Sequence, residues 1–208
     1  MKKLSFFVVG LMFCSSTLFA ESASWLLQKK LTHLQNMRAK FTQKVYAKEH
    51  VLSSSSGTMA LQRPGRFLWE TQEPAVQKVI ADGQRLWVYD VDLEQVTVST
   101  QKKSLGSTAA MFLSEDKSSL DRDYTIQVKD SGQDTVFDMQ TKSLQSNIQR
   151  VVLRFRGDVL RGMDLFDQMG QRTHIVFIQP EMNHVIPSHV FQFKPPKGVD
   201  VVKQDQGA

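Results

Sequence analysis

The chain has 208 residues, one cysteine and a formal net charge of +5 at pH 7. This length suits one ordinary domain behind a short leader segment. The excess of positive charge is mild, and no cluster of Lys and Arg is interleaved with aromatic residues, which argues against nucleic-acid binding. A single cysteine excludes a disulfide framework, so the stability of the chain has to come from its apolar core.

The first 20 residues have the order of a secretory signal peptide. A basic start at Met1–Lys3 precedes the apolar run Leu4–Phe19, and the small residue Ala20 comes before polarity returns. The apolar run is shorter than the roughly 20 residues that a membrane span needs. We therefore predict that residues 1–20 are cleaved and that residues 21–208 form one exported domain.

Cys14 does not have the surroundings of a lipidated cysteine. Small residues precede the cysteine in a lipoprotein signal, whereas the bulky Phe13 precedes Cys14 here. We expect Cys14 to leave with the signal peptide. The exported domain then has no thiol, and its net charge falls from +5 to +3 because Lys2 and Lys3 are lost as well.

The start of the exported domain is predicted to be an amphipathic helix over Trp25–Met37. Leu31 and Leu34 recur at helical spacing within it, with polar residues between them. Ser22 or Ser24 is the candidate N-cap.

An alternation with period two begins near Ala39 and predicts a meander of short antiparallel strands. His50–Gly57 is predicted to be a polar loop, and Pro64–Gly65 and Asp82–Gly83 are turn signals between strands. A sheet built in this way curls and partly closes. Its large apolar residues are Phe41, Met59, Leu61, Phe67, Trp69, Trp87 and Tyr89.

A second helix is predicted over Ser107–Leu113, where Met111 and Leu113 are the large apolar residues. Strand patterns resume at Tyr124 and end with a predicted last strand around Phe191 and Phe193. Two helices over a curled sheet either pack against it as a solid core or enclose a space of lipid size. Close packing, the rule in protein interiors, favours the solid core from the residues alone.

Arg63 is in phase with Met59 and Leu61, on the face predicted to be apolar. One interpretation is a surface arginine at the end of a strand. The other is an arginine that points inward, where its donors have to be paired because burial of an unpaired charge is costly. The residues alone leave both open.

No catalytic or metal-binding pattern stands out in the chain. His184 and His189 fall on opposite faces of an extended segment, which argues against a metal pair. Asp82 and Asp90 are explained by turn chemistry. Because the sequence has neither a nucleophile elbow nor a glycine-rich phosphate loop, we predict no enzyme activity, no metal and no cofactor.

Two stretches resemble a known family. RPGRFLW (Arg63–Trp69) and ADGQRLWVYDVDLEQVTV (Ala81–Val98) are similar in order and spacing to the outer-membrane lipoprotein carrier protein family, the periplasmic chaperone LolA. Phe41–Gln43 fits the start of that family and Phe191–Val199 its end. The resemblance spans nearly the whole exported domain, while Lys117–Arg150 matches only loosely.

The resemblance implies an α+β fold, mainly antiparallel β: an incomplete, unclosed β-barrel with an α-helical lid over an apolar concave face. It implies that Arg63 hydrogen-bonds the lid in the closed, empty form and that Phe67 contacts an exporter in the inner membrane. The residues expected to bind lipid or control the lid are Arg63, Met59, Leu61, Phe67, Trp69, Trp87, Tyr89, Leu31, Met111 and Leu113.

The same resemblance implies a monomer in the periplasm that carries acylated lipoproteins. An ATP-binding-cassette exporter of the inner membrane would supply them, and an outer-membrane acceptor would receive them. Three alternatives are an outer-membrane acceptor lipoprotein of similar fold, an envelope-stress module that senses lipoproteins, and a hydrolase. The first is opposed by the residues before Cys14, the second by the lack of a second domain, and the third by the lack of a nucleophile constellation.

Overall fold

The fold is a single long sheet with short helices. The computed structural model describes residues 22–101, 113 and 120–204. The helices are α1 (Ala23–His33) and α2 (Leu120–Asp123). The strands are β1 (Asn36–Ala47), β2 (His50–Gln62), β3 (Arg66–Glu73), β4 (Gln77–Asp82), β5 (Arg85–Asp90), β6 (Gln95–Thr100), β7 (Tyr124–Ser131), β8 (Asp134–Thr141), β9 (Ile148–Arg156), β10 (Val159–Asp167), β11 (Gln171–Met182) and β12 (Asp200–Lys203).

The strand order is β12-β6-β5-β4-β3-β2-β1-β11-β10-β9-β8-β7. Neighbouring strands are antiparallel, and the parallel pair of β12 with β6 is the exception. Because β12 and β7 lie at the two ends of this order, the described strands form an unclosed sheet. The predicted α+β class with an incomplete antiparallel barrel is confirmed.

Helix α1 is shorter than predicted. The Ser22 side chain caps its start and accepts a hydrogen bond from the Trp25 backbone N–H at 3.2 Å. The helix ends at His33, and Met37 already belongs to β1, where it pairs with Leu61. The prediction that the helix reaches Met37 is wrong, because Asn36 and Met37 pair with β2 as the start of a strand.

The serine-rich stretch His50–Gly57 is not a loop but the first part of β2. Its backbone pairs with β1, for example Ser53 with Val45 and Gly57 with Phe41. Serine has only a modest preference against strands, and a long neighbouring strand overrides it. The two strands therefore form one long hairpin.

Alternation along the strands gives the sheet two apolar faces. The concave face holds the main core, whereas the outer face is covered by the segment that follows β11. In that segment Phe191 packs against Ala60, and Phe193 packs against Trp87. The predicted last strand at Phe191 and Phe193 is wrong: Ser188–Phe191 is a 3₁₀ turn, and nearby prolines cannot donate ladder hydrogen bonds.

Two expectations lie outside the described residues. The signal peptide at residues 1–20 remains a prediction, and so does the helix at residues 107–113, of which Leu113 alone is described. Across residues 22–101, 113 and 120–204, no helix combines the length and the apolar character that crossing a membrane would require.

Gly57 allows β2 and β3 to approach closely, and we predict that Gly57→Ala destabilises the fold. An added Cβ would lie 1.9 Å from the backbone oxygen of Glu70, far inside any non-bonded contact between a carbon and an oxygen. Relief requires a backbone shift, and such overpacking costs about 3 kcal/mol. Chemical denaturation measures the loss. Ser56→Ala, in the same strand, is the control and should change stability by less than about 1 kcal/mol; equal stability of the two variants would contradict the prediction.

Candidate functional site: an apolar interior under helix α1

The concave face and helix α1 enclose one continuous group of apolar side chains, which we call the apolar interior. Strands β2 and β3 contribute to it through alternate residues that point to the same side. Their exposed fractions are 7% or less, so contact between these side chains and water is nearly absent. Its central members are Leu27, Leu31, Leu34, Phe41, Met59, Leu61, Phe67, Trp69 and Phe177.

Trp69 is the aromatic centre of the apolar interior. Its ring stacks on Phe41 with ring centroids 4.0 Å apart and meets Phe177 edge-on at 6.5 Å. The three rings come from β3, β1 and β11, which are separated in sequence but close in the sheet. Rings in these arrangements add favourable quadrupole interactions to the burial of apolar area.

The structure brings together most of the residues that the sequence nominated. Met59, Leu61, Phe67, Trp69, Leu31 and Leu113 all belong to the same buried cluster. Met111 lies outside the described residues. The sheet and the helical cover thus meet at the apolar side chains that were expected to line the concave face.

Trp87 and Tyr89 are on the wrong side of the sheet for this role. Both pack on the outer face against Phe193, whose ring centroid lies 5.6 Å from that of Trp87 and 5.7 Å from that of Tyr89. Ala81 pairs with Leu86, and this register turns Leu86 inward and Trp87 outward. The sequence left open which face of Leu86–Tyr89 lines the concave side, and the structure corrects the expected lipid-binding role of Trp87 and Tyr89, since a strand exposes successive side chains to opposite sides and theirs lie on the outer one.

Lys30 attaches helix α1 to the sheet through a hydrogen bond and an ion pair. Its Nζ donates to the Gly157 backbone oxygen at 2.8 Å and lies 3.3 Å from Asp158 Oδ1, both in the turn between β9 and β10. The same nitrogen lies 5.7 Å from the centroid of the Phe155 ring. Exposed ion pairs contribute little, so the buried leucines of α1 supply most of the attachment.

The joint between α1 and β1 is held from two sides. The Arg63 backbone N–H donates to the Gln35 oxygen at 2.9 Å. From the opposite side, Asn183 Oδ1 accepts from the backbone N–H of Gln35 at 3.1 Å and of Asn36 at 3.4 Å. Sequence reasoning missed Asn183, because the contact spans nearly the whole chain and no local pattern marks it.

Arg63 lies in the turn between β2 and β3 and is half-buried. Its Nε and Nη2 atoms are buried from solvent, so Arg63 is not a fully solvated surface arginine at a strand end. The residue lines a polar cleft of about 600 Å³ together with Arg66, Asp82 and Gln192. Gln101 braces this end of the sheet by donating to the Gly65 oxygen at 2.7 Å.

Asp82 is the main anion of the polar cleft. Partial burial raises its pKa, but hydrogen bonds from the Arg85 and Gln84 backbone N–H groups, each 2.8 Å long, outweigh burial. The Trp87 indole N–H adds a third bond at 3.2 Å. The net result is a pKa below the usual value of the carboxyl group.

The region that holds the joint and the polar cleft matches a known family. A model of the family described as "Outer membrane lipoprotein carrier protein LolA" matches residues 32–194. The chain belongs to the LolA family. Its match begins at the end of α1 and includes the joint, the polar cleft and the sheet through β11.

Relatives within the LolA family are similar over most of their length. A Legionella pneumophila (strain Paris) protein named outer-membrane lipoprotein carrier protein is 50% identical over 95% of this chain and 98% of its own. A protein of the same name from Azotobacter vinelandii is 37% identical over 86% of each chain. The solved structure of an uncharacterized conserved protein from Thermus thermophilus shares the fold, with a TM-score of 0.52 at 12% identity, covering 86% of this chain and 99% of its own.

We predict that Asp82 stabilises the fold in a pH-dependent way. Because the folded-state pKa is lowered, its contribution is complete above the unfolded-state pKa and is lost as the pH falls through the folded-state value. The difference in unfolding free energy between wild type and Asp82→Asn should therefore shrink as the pH falls below about 4. Denaturation at a series of pH values measures it. A difference that stays constant down to about pH 2 would contradict the assignment.

Proposed function

We propose that this protein is a periplasmic carrier that shields the acyl chains of lipoproteins on their way to the outer membrane. The observation that carries the proposal is an unclosed sheet whose apolar concave face is covered by a separate amphipathic helix. The names of its relatives in the LolA family support the same role. The proposed carrier is a monomer and uses no cofactor and no catalytic step.

The physical task of such a carrier is set by the acyl chain. Each CH₂ group exposed to water costs about 0.8 kcal/mol, so a chain of about 16 carbons represents on the order of 12 kcal/mol. A lipoprotein with several acyl chains does not leave a membrane unaided at a useful rate. A carrier has to cover part of this apolar surface and still release it.

The apolar interior can cover an acyl chain once helix α1 moves away from the sheet. Leu31, Phe41 and Trp69 are almost completely buried in the closed form, so an acyl chain reaches them after the helix is displaced. The acyl chain then takes the place of the leucines of α1 against the sheet. Since the chain competes with the protein's own helix, the net affinity is lower than the buried area alone implies.

Arg63 is the residue we assign to control of the closed form. Two nitrogens of its guanidinium are buried from solvent, the residue lines the polar cleft, and its backbone N–H already bonds the joint of the lid at Gln35. Charge-assisted hydrogen bonds from Arg63 to the lid, of about 1.5–3 kcal/mol each, would be broken on loading and remade on release. They favour transfer to an acceptor.

Loading needs an external source of energy, which we assign to an ATP-driven exporter of the inner membrane, with an outer-membrane acceptor as the destination. Phe67 is the proposed contact with the exporter. Its exposed fraction is 1% in the closed form, so this contact requires the open form. Exporter contact and lid opening are then one event.

We predict that Arg63→Leu folds but releases lipoprotein more slowly. Removing the guanidinium removes the bonds that favour the closed, empty form, and the transfer rate should fall about tenfold or more, the equivalent of one such bond. The measurement is timed transfer from loaded carrier to outer-membrane acceptor, with carrier loaded from inner-membrane vesicles and ATP.

Arg66→Leu is the matched control, because Arg66 lines the same cleft but is exposed. It should transfer at the wild-type rate. Melting temperatures of both variants separate a transfer defect from a folding defect, and Arg63→Lys keeps the test valid if the leucine variant unfolds. Unchanged transfer in folded Arg63→Leu would refute the role of Arg63.

A further inference from the structure

The short joint between α1 and β1 is the place where the lid has to turn. Two residues, Leu34 and Gln35, separate the last residue of the helix from the first residue of the strand. Leu34 is completely buried in the apolar interior, and its backbone N–H still bonds the Lys30 oxygen at 3.1 Å. Rotation of the helix away from the sheet therefore has to change the backbone at Gln35 and Asn36.

Asn183 contacts this joint with both its side chain and its backbone. Its backbone N–H donates to the Asn36 oxygen at 2.8 Å. Its side-chain Oδ1 lies 3.1 Å from the Gln35 nitrogen and 3.4 Å from the Asn36 nitrogen and accepts from both. The backbone and the side chain of this one residue thus extend the pairing of β1 with β11 by one step, up to the start of the lid.

The backbone of Asn183 is shaped for this contact. Its φ of 60° lies in the left-handed region, which asparagine tolerates better than most residues because its short side chain bonds nearby backbone. This conformation follows directly after β11 and turns the chain toward the segment that covers the outer face. Position 183 therefore needs both the backbone geometry and the acceptor oxygen.

We propose that Asn183 is a positioning residue for the lid: its side-chain oxygen holds the α1–β1 joint in the closed arrangement and sets how readily the lid opens to admit an acyl chain. The inference rests on the proposed function for the identity of the ligand. The hydrogen bonds to Gln35 and Asn36 themselves can be tested without any ligand.

Two substitutions distinguish the effect of the Asn183 side-chain oxygen from the effect of the backbone conformation at this position. Asn183→Gly tolerates the left-handed conformation and removes the acceptor, whereas Asn183→Asp keeps acceptor oxygens in the same place. Asn147→Gly, an exposed asparagine in the loop between β8 and β9, at the other end of the sheet, is the matched control. Hydrogen exchange of the Gln35 and Asn36 amides is followed by NMR in the purified protein without ligand.

We expect Asn183→Gly to raise exchange at Asn36 about tenfold or more, with a smaller rise at Gln35, whose N–H also bonds the His33 oxygen at 3.1 Å. Asn183→Asp should restore protection, and Asn147→Gly should leave both amides unchanged. Unchanged exchange in Asn183→Gly, or equal loss of protection in Asn183→Asp, would overturn the role of the oxygen.

A second readout connects the joint to ligand entry. The association rate of a fluorescent long-chain fatty acid should rise several-fold in Asn183→Gly and return to the wild-type value in Asn183→Asp. A rise in amide exchange without a faster association rate would overturn the link to lid opening. If wild-type protein binds no fatty acid and copurifies with no lipoprotein, the proposed function fails while the exchange result for Asn183 still stands on its own.

Discussion

The concave face of the sheet cannot be left in contact with water. Phe41, Met59, Leu61, Phe67 and Trp69 point to one side of an unclosed sheet, and each buried side chain of this size represents about 1.5–3 kcal/mol. A closed barrel would bury such a face against itself, but here β12 and β7 end the sheet without meeting among the described strands. Something else has to cover the face, and in the empty protein helix α1 does so.

This constraint makes the cover and the ligand competitors. Leu27 and Leu31 are as completely buried as the strand residues of the same cluster, so an acyl chain that takes their place replaces an existing apolar contact. The net free energy of binding is the difference between the free energy of covering the concave face with the acyl chain and that of covering it with helix α1. A carrier built in this way binds through a conformational change and releases by reversing it. The polar contacts around Gln35, from Arg63 on one side and Asn183 on the other, then lie where the two forms differ.

The sequence predicted the concave face well where a strand has one clear alternation, and less well where register decides. Met59 to Trp69 could be assigned because a tight turn at Pro64–Gly65 links their strands and keeps the same residues in phase. Trp87 and Tyr89 could not, because the pairing of Ala81 with Leu86 determines their side of the sheet and aromatic character does not. Both faces of this sheet are apolar, so hydrophobicity alone cannot distinguish them.

Contacts between residues that are far apart in the sequence could not be predicted either. The serine-rich start of β2 becomes a strand because β1 is long enough to pair with it, which no local propensity signals. Asn183 meets the lid joint across a sequence separation of 148 residues, and a single asparagine has no motif that indicates such a contact. Arg63 stood out in the sequence because a cation in phase with apolar residues is rare enough to notice.

The location of the acyl chain is the central claim, and neighbouring residues on β5 test it directly. Val88 shares the inward side with Leu86, while Tyr89 faces outward toward Phe193. A photoreactive amino acid is placed at position 88 or 89, and the carrier is loaded with a lipoprotein whose acyl chains carry a label and is then irradiated. Alkaline hydrolysis cuts the acyl esters afterwards, so label that stays on the carrier reports a cross-link to an acyl chain. We predict label from position 88 and none above background from position 89; label from position 89 alone, or equally from both, would contradict the account.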